Sequence, residues 1–160
     1  MKISASYWIF EGGLEGTLPI SDAMEQASQL GFDAIELGIA SQGVLTHQTT
    51  QSECETISEQ ALQHQLEISG VASGESWGCS PTSSDAKVRE TILDFTQKAL
   101  QVTQWLGTDT YLFVPGAVDV FFLPEAEVVP YDVCYDRATQ AISQLLPTAE
   151  KLGVSVAVEN

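Results

Sequence analysis

Residues 30–37 read Leu-Gly-Phe-Asp-Ala-Ile-Glu-Leu, a stretch in which a helix ends and a buried strand begins. Glycine directly after the last helical residue takes the left-handed conformation that closes the helix and turns the chain toward a sheet. The same Leu-Gly step recurs at Leu106-Gly107 and at Leu152-Gly153, each followed within a few residues by a β-rich apolar run. The sequence therefore predicts a repeated helix-to-strand unit.

Short apolar runs alternate with longer segments of helical period along the whole chain, which is typical of β/α units around a parallel sheet. Five strands are predicted, at Ile3–Trp8, Ala34–Leu37, Leu66–Ala72, Tyr111–Val114 and Val154–Glu159. Four helices are predicted between them: from Ser21/Asp22 to Leu30, over residues 52–65, from Ser84/Asp85 to Leu106, and from near Asp132 to Leu152. We expect the first helix to begin with a capping box formed by Asp22 and Glu25.

The charge balance is strongly acidic, with 22 Asp and Glu against 6 Lys and Arg in 160 residues and a formal net charge of -16. This charge argues against nucleic acids and anionic membranes as partners, because binding to them depends on cationic side chains. A free sugar or small hydroxy-ketone suits this charge better than a highly phosphorylated substrate. The sequence shows neither a long apolar run nor a secretory pattern, which favours a cytoplasmic protein without a membrane span.

Five β/α units leave two α/β folds open, a flavodoxin-like open sheet and part of a TIM barrel. The chain stops on a strand, with no closing helix to cover a second face, and its first β-to-α turn carries Glu11 and Glu15 without a phosphate-binding glycine pattern. A complete barrel takes about 250 residues, so five units in 160 residues match a truncated barrel. Residues 1–160 are thus predicted to be the N-terminal part, strands one to five, of a single TIM-barrel domain.

Four short motifs occur in the order expected of one protein family. They are Ser6-Tyr7-Trp8, residues 30–37, residues 106–110 leading to Val114-Pro115-Gly116, and residues 149–154 leading to Val156-Ala157-Val158-Glu159-Asn160. In these motifs the chain resembles the sugar phosphate isomerase/epimerase family with its xylose isomerase-like TIM barrel, which includes ketose 3-epimerases. The resemblance implies isomerisation or epimerisation of a sugar or sugar phosphate through an enediolate, assisted by a divalent metal.

The resemblance implies that Glu159, at the end of the fifth strand, binds the metal and acts as a catalytic acid/base. A carboxylate at the carboxyl end of a barrel strand points into the catalytic mouth, where a cation can hold the substrate oxygens. The family's other ligands, an Asp, a His and a second Glu, come from strands six to eight, so the 160-residue chain alone is expected to be inactive. An oxygen-rich site of this kind suits Mn²⁺, Mg²⁺ or Co²⁺.

A related group, endonuclease IV, would place zinc-binding histidines after the third and fourth strands. Here Ser73-Gly74-Glu75 and Pro115-Gly116 occupy those positions, which argues against DNA repair. Substrate contacts are expected from Tyr7, Trp8 and Trp77, whose rings could stack on a sugar or simply pack, and from Pro115. Glu36 would line the pocket or form a buried ion pair. His47 lies in a loop on the catalytic side.

The segment 117–130 follows the fourth strand, where a barrel carries a lid, and it contains the apolar run 120–123. It could instead be a flap packed on the rim. Val154, Val156 and Val158, or their neighbours in the strand, are expected to face the barrel interior and to meet strands that this chain lacks. The chain should therefore associate with itself or with the C-terminal part of the barrel. The alternative function is a non-catalytic half-barrel that binds a sugar or a partner.

Overall fold

The computed structural model describes residues 1–159, in which five strands alternate with helices as the sequence predicts. The strands are β1 Ser4–Ser6, β2 Ala34–Gly38, β3 Glu67–Ala72, β4 Thr110–Phe113 and β5 Ser155–Val158. The helices are α1 Ile20–Gln29, α2 Gln51–Gln63, α3 Glu75–Gly78, α4 Ala86–Trp105 and α5 Tyr131–Leu152. The short helix α3 was not predicted, and Asn160 lies outside the described residues. None of the helices in residues 1–159 has the length and apolar content needed to cross a bilayer.

All five strands are parallel and lie in the order β1-β2-β3-β4-β5. A flavodoxin-like sheet has the order 2-1-3-4-5, with helices on both faces. Consecutive order is what a barrel requires, because each right-handed β/α crossover there adds the next strand on the same side. The structure therefore confirms part of a TIM barrel.

The two faces of the sheet differ in composition. The helix-covered face carries the fully buried side chains of the core, Ile35, Leu37, Val71, Tyr111 and Phe113. The opposite, open face carries mostly small or polar side chains, with Leu112 as a larger apolar one. One row across it runs Ser6, Glu36, Gly70, Thr110 and Ser155. The open face corresponds to the barrel interior.

The residues of the last strand that face the interior are not the three valines but their neighbours, the second of the two sets that the sequence left open. Val156 lies opposite Tyr111, and Val158 lies opposite Phe113, both on the helix-covered face. Because side chains alternate along a strand, Ser155, Ala157 and Glu159 occupy the open face instead. The valines go to the other side since the larger apolar layer of this chain lies between sheet and helices.

Helix ends follow the predicted glycine pattern, whereas the capping box predicted for the first helix was wrong. Gly31, Gly107 and Gly153 have φ values of 82°, 77° and 67°, the left-handed conformation expected after each helix. The first helix begins at Ile20, with Pro19 as its N-cap, so Asp22 lies inside the first turn and cannot cap it. Proline, which fixes φ near the helical value, starts the helix there without a side-chain cap.

Candidate active site

A cleft of about 420 Å³ opens at the carboxyl ends of β1, β2 and β3, and we call it the aromatic cleft. Active sites of TIM barrels lie at this end of the strands. Three of the predicted substrate-binding residues come together in it, Tyr7, Trp8 and Trp77. The rest of its wall comes from strand-end loops and includes Gly38, Glu15, Glu75, Phe122 and Leu123.

Tyr7 presents its ring, not its hydroxyl, to the aromatic cleft. The side chain is 1% exposed, and its hydroxyl donates a hydrogen bond of 2.6 Å to the carbonyl of Leu18. Burial raises the pKa of Tyr7, and the Leu18 hydrogen bond offsets only part of that effect. The phenol therefore stays protonated at neutral pH, and its donor is already used within the protein.

The two tryptophans are held by contacts from different loops. Gly38, the last residue of β2, lies against Trp8 so closely that a Cβ there would be 2.7 Å from the indole Nε1. Trp77, in α3, meets Phe122 edge to face with 5.5 Å between ring centroids. Such aromatic pairs favour one relative orientation, so the apolar walls of the cleft are shaped before any ligand enters.

Replacing Gly38 with alanine is expected to displace the Trp8 indole and to lower stability by about 1–3 kcal/mol, the usual cost of overpacking. Trp8 emission should shift when Trp77 and Trp105 are replaced by phenylalanine so that only Trp8 reports. Gly74→Ala is the matched control, because its Cβ would meet only Trp77 Cδ1, at an ordinary 3.9 Å. Identical emission and melting temperature in Gly38→Ala and Gly74→Ala would show that the tight contact does not exist.

The carboxylate of Glu75 lies in the cleft wall, a position that the sequence analysis missed. Its Oε1 accepts hydrogen bonds from the backbone N and the Oγ of Ser41, at 2.8 and 2.9 Å, which fix the carboxylate. Glu15 adds a second acidic side chain, and no Lys, Arg or His among residues 1–159 lines the cleft. The cleft is therefore negatively charged. Its position in the sequence could have indicated a role in the pocket, because Glu75 comes three residues after the end of β3, and pocket residues often follow strand ends.

Glu36, Pro115 and Glu159 do not line the aromatic cleft. Glu36 is half-buried on the open face, and Pro115 is half-buried just after β4. Glu159 extends the ladder beyond β5, since its backbone N donates to the carbonyl of Phe113 at 3.1 Å. Its side chain is exposed, on the same face as Ser155 and Ala157. The roles of these three residues stay predictions.

His47 lies behind the cleft rather than in it. It shares a separate cavity of about 130 Å³ with Glu75, Cys79 and Phe95. Its ring is 5.1 Å from that of Phe95, and its Nδ1 is buried without a hydrogen-bond partner among the described residues. Glu75 thus forms the wall between this cavity and the aromatic cleft.

Comparison with known protein families identifies the family of this chain. The protein-family model described as a xylose isomerase-like TIM barrel matches residues 24–160. The chain belongs to this family. A comparison with curated proteins gave no significant match.

Several solved structures that resemble the chain are sugar epimerases. A D-psicose 3-epimerase in the presence of D-fructose has a TM-score of 0.75 and 21% identity, over 99% of this chain and 52% of its own. D-psicose 3-epimerase with D-tagatose from Clostridium cellulolyticum H10 has a TM-score of 0.74 and 15% identity, over 98% and 51%. The 3-keto-D-glucoside 4-epimerase from E. coli has a TM-score of 0.72 and 16% identity, over 99% and 55%. The chain spans about half the length of these structures, and identities this low show a shared fold.

The metal-binding capacity of this barrel segment is limited. Within residues 1–159, no three His, Cys, Asp or Glu side chains lie close enough together to hold a metal ion. Glu159 fits the oxygen-donor chemistry of a hard divalent cation, and it is exposed on the open face. The described residues can therefore supply one candidate ligand but not a complete coordination sphere.

Proposed function

We propose that the chain forms the N-terminal half of a sugar isomerase or epimerase that acts on a small free sugar or hydroxy-ketone. One observation carries this proposal: the aromatic cleft and Glu159 lie at the same, carboxyl end of a xylose isomerase-like sheet. Sugar-binding sites combine apolar ring faces with a few polar groups that orient hydroxyls. The cleft offers both, in Trp8 and Trp77 and in the carboxylate of Glu75.

Glu159 is proposed as a metal ligand and as a catalytic acid/base. A bound Mn²⁺, Mg²⁺ or Co²⁺ would polarise the substrate carbonyl and acidify the neighbouring C–H. Glu159 itself would take or return that proton at a carboxylate oxygen, while Tyr7, Trp8 and Trp77 hold the sugar and exclude water. Glu36 and Pro115 are proposed to contact the substrate from the open face and from the end of β4. The remaining ligands would come from residues outside this sequence.

The charge of the cleft favours a free sugar over a sugar phosphate. Glu15 and Glu75 would repel a phosphate group, and no cationic side chain of the described lining would offset the repulsion. We also propose a cytoplasmic location without a nucleic-acid or membrane partner. The three free cysteines, Cys54, Cys79 and Cys134, support a reducing compartment, and the net charge of -16 opposes binding to polyanions.

The test is an assay of the complete barrel protein with free ketohexoses and their phosphate esters, monitored by chromatography of the products. Added Mn²⁺, Mg²⁺ or Co²⁺ should support conversion of the free sugars, chelation should abolish it, and the esters should react much more slowly. Turnover that survives exhaustive chelation would contradict the metal-assisted mechanism. Faster turnover of the esters would contradict the role given to the acidic cleft.

The second candidate function is a non-catalytic half-barrel that binds a sugar or a partner. It is favoured by the aromatic cleft itself, whose lining residues all lie within residues 1–159, so that binding there needs no ligand from later strands. The same assay separates the two functions, because a binding protein would bind free sugar but would not convert it, whichever metal is added.

A further inference from the structure

Two of the few cationic residues of this acidic chain bind the same short segment of backbone. It has 6 Lys and Arg in all, of which Arg89 and Arg137 are the arginines. Both donate hydrogen bonds to carbonyls of the same three-residue segment, Thr82–Ser84. Arg89 Nη1 lies 2.6 Å from Ser83 O and 3.1 Å from Ser84 O, and Arg137 Nη1 lies 2.8 Å from Thr82 O. Since Arg89 belongs to α4 and Arg137 to α5, the segment is fastened to two helices.

The fastened segment in turn holds the loop 117–130 at both ends. At the first end, Thr82 is fully buried, and its Oγ1 donates to the carbonyl of Ala117 at 3.4 Å. Gly116 has φ of +127°, and a Cβ there would lie 2.3 Å from Thr82 Cγ2, so only glycine permits this approach. At the other end, Glu127 Oε2 accepts hydrogen bonds from Ser84 N at 2.8 Å and from Ser83 Oγ at 3.3 Å.

Between these two attachments, the tip of the loop carries apolar side chains that line the aromatic cleft. Val129 N donates to Val118 O at 2.9 Å, which closes the loop on itself, and Val120 and Val129 are buried beneath it. Phe122 projects onto Trp77 and lines the cleft together with Leu123. The placement of Phe122 therefore depends on where the base of the loop is held.

We propose that Arg137 and Glu127 are positioning residues, which act through Thr82–Ser84 to hold the Phe122–Trp77 wall of the aromatic cleft. A lid that swings as a whole would have to break the attachments at Ala117 and Glu127, so movement is confined to the tip around Phe121–Leu123. The guanidinium of Arg137 is suited to this role because it is permanently charged and forms directed hydrogen bonds. That the wall contacts a sugar rests on the proposed function, but its attachment does not.

The test measures loop order and wall geometry in the complete barrel protein, without substrate. Amide hydrogen exchange of residues 117–130 should become about tenfold faster in Arg137→Met, the effect of losing a hydrogen bond to a charged group. Glu127→Gln should act in the same direction, and because Glu127 is exposed, this variant is not expected to endanger folding. Lys151→Met, which removes an exposed cation from the same helix, should leave the loop unchanged. Arg137→Lys, which keeps the positive charge, should leave the loop better protected from exchange than Arg137→Met does.

A spectroscopic readout separates positioning from general stability. With Trp8 and Trp105 replaced by phenylalanine, the near-ultraviolet circular dichroism of Trp77 reports its contact with Phe122. Arg137→Met should reproduce the change caused by Phe122→Leu, whereas Lys151→Met should not. Unchanged exchange in both Arg137→Met and Glu127→Gln would overturn the proposal. It would also be overturned by a wild-type loop without protection, or by a Trp77 signal that Phe122→Leu alters and Arg137→Met leaves intact.

Discussion

Turnover of the complete barrel is expected to fall by about 10²–10⁴-fold in Glu159→Gln, the usual contribution of a general acid/base. Glutamine keeps the shape of the side chain but removes the charge that binds the cation and the oxygen that accepts the proton. Affinity for Mn²⁺ should fall as well. Stability should change little, because the Glu159 side chain is exposed at the end of the ladder and its contact with β4 is made by the backbone.

Calorimetric titration of Mn²⁺ into the complete protein, together with a thermal melt, measures both expectations. Glu150→Gln is the matched control, since it removes one negative charge at an exposed position of α5. It should leave metal affinity and turnover at their wild-type values. If Glu159→Gln binds the metal as tightly as the wild type does, Glu159 is not a ligand. If it unfolds at a much lower temperature than Glu150→Gln, its role is structural.

The barrel could be predicted because its signals are local and repeated. Glycine at positions 31, 107 and 153 has a backbone conformation that other residues adopt at a cost, so each helix end was readable from one dipeptide. Strand apolarity then located four of the five strands to within one residue at each end, and the end of β1 to within two. That strand ends at Ser6 because Tyr7–Ile9 forms a 3-10 turn, in which the Tyr7 hydroxyl reaches Leu18. This contact is not encoded in any short pattern.

The site was harder to predict because it depends on packing between distant segments. Tyr7, Trp8 and Trp77 were named as substrate-binding candidates because they lie near strand ends, and the structure brings them together in one cleft, while their contact with a sugar stays a prediction. Glu75 was missed because only the fold brings Ser41, 34 positions away in sequence, within reach of its carboxylate. The sequence left open whether the valines of the last strand or their neighbours face the interior, because apolarity alone does not say which of two buried layers a strand faces.

The isolated 160-residue chain is expected not to behave as a simple monomer. In residues 1–159, β1 and β5 lie at the two edges of the sheet, so each has one side without a neighbouring strand. In a closed barrel these edges do not exist, and exposed edges tend to pair with another chain. Apolar side chains at the same edges are also exposed to solvent, Ile3 to 53% and Val158 to 51%. The chain should therefore associate, with another copy or with the C-terminal part of the barrel.

Electrostatics opposes association between two copies, since each carries a formal charge of -16. Salt shortens the range of that repulsion, to about 8 Å at physiological ionic strength and about 3 Å at 1 M. Self-association should therefore increase with added salt. Pairing with a less acidic C-terminal half should depend on salt much less. The isolated chain should also lack epimerase activity and bind Mn²⁺ weakly, because its described residues supply one candidate ligand for the cation.

Sedimentation equilibrium at low micromolar concentration, at about 0.1 M and 1 M salt, tests this expectation. Near-ultraviolet circular dichroism on the same samples shows whether the aromatic side chains are fixed. Burial of one valine contributes about 1.5–3 kcal/mol, a large part of a typical domain stability of about 5–15 kcal/mol, so exposed edges should be costly. A monomer at both salt concentrations, with fixed aromatic signals and a cooperative melt, would contradict this argument. It would show that the contacts between helices and sheet alone stabilise five strands of a barrel.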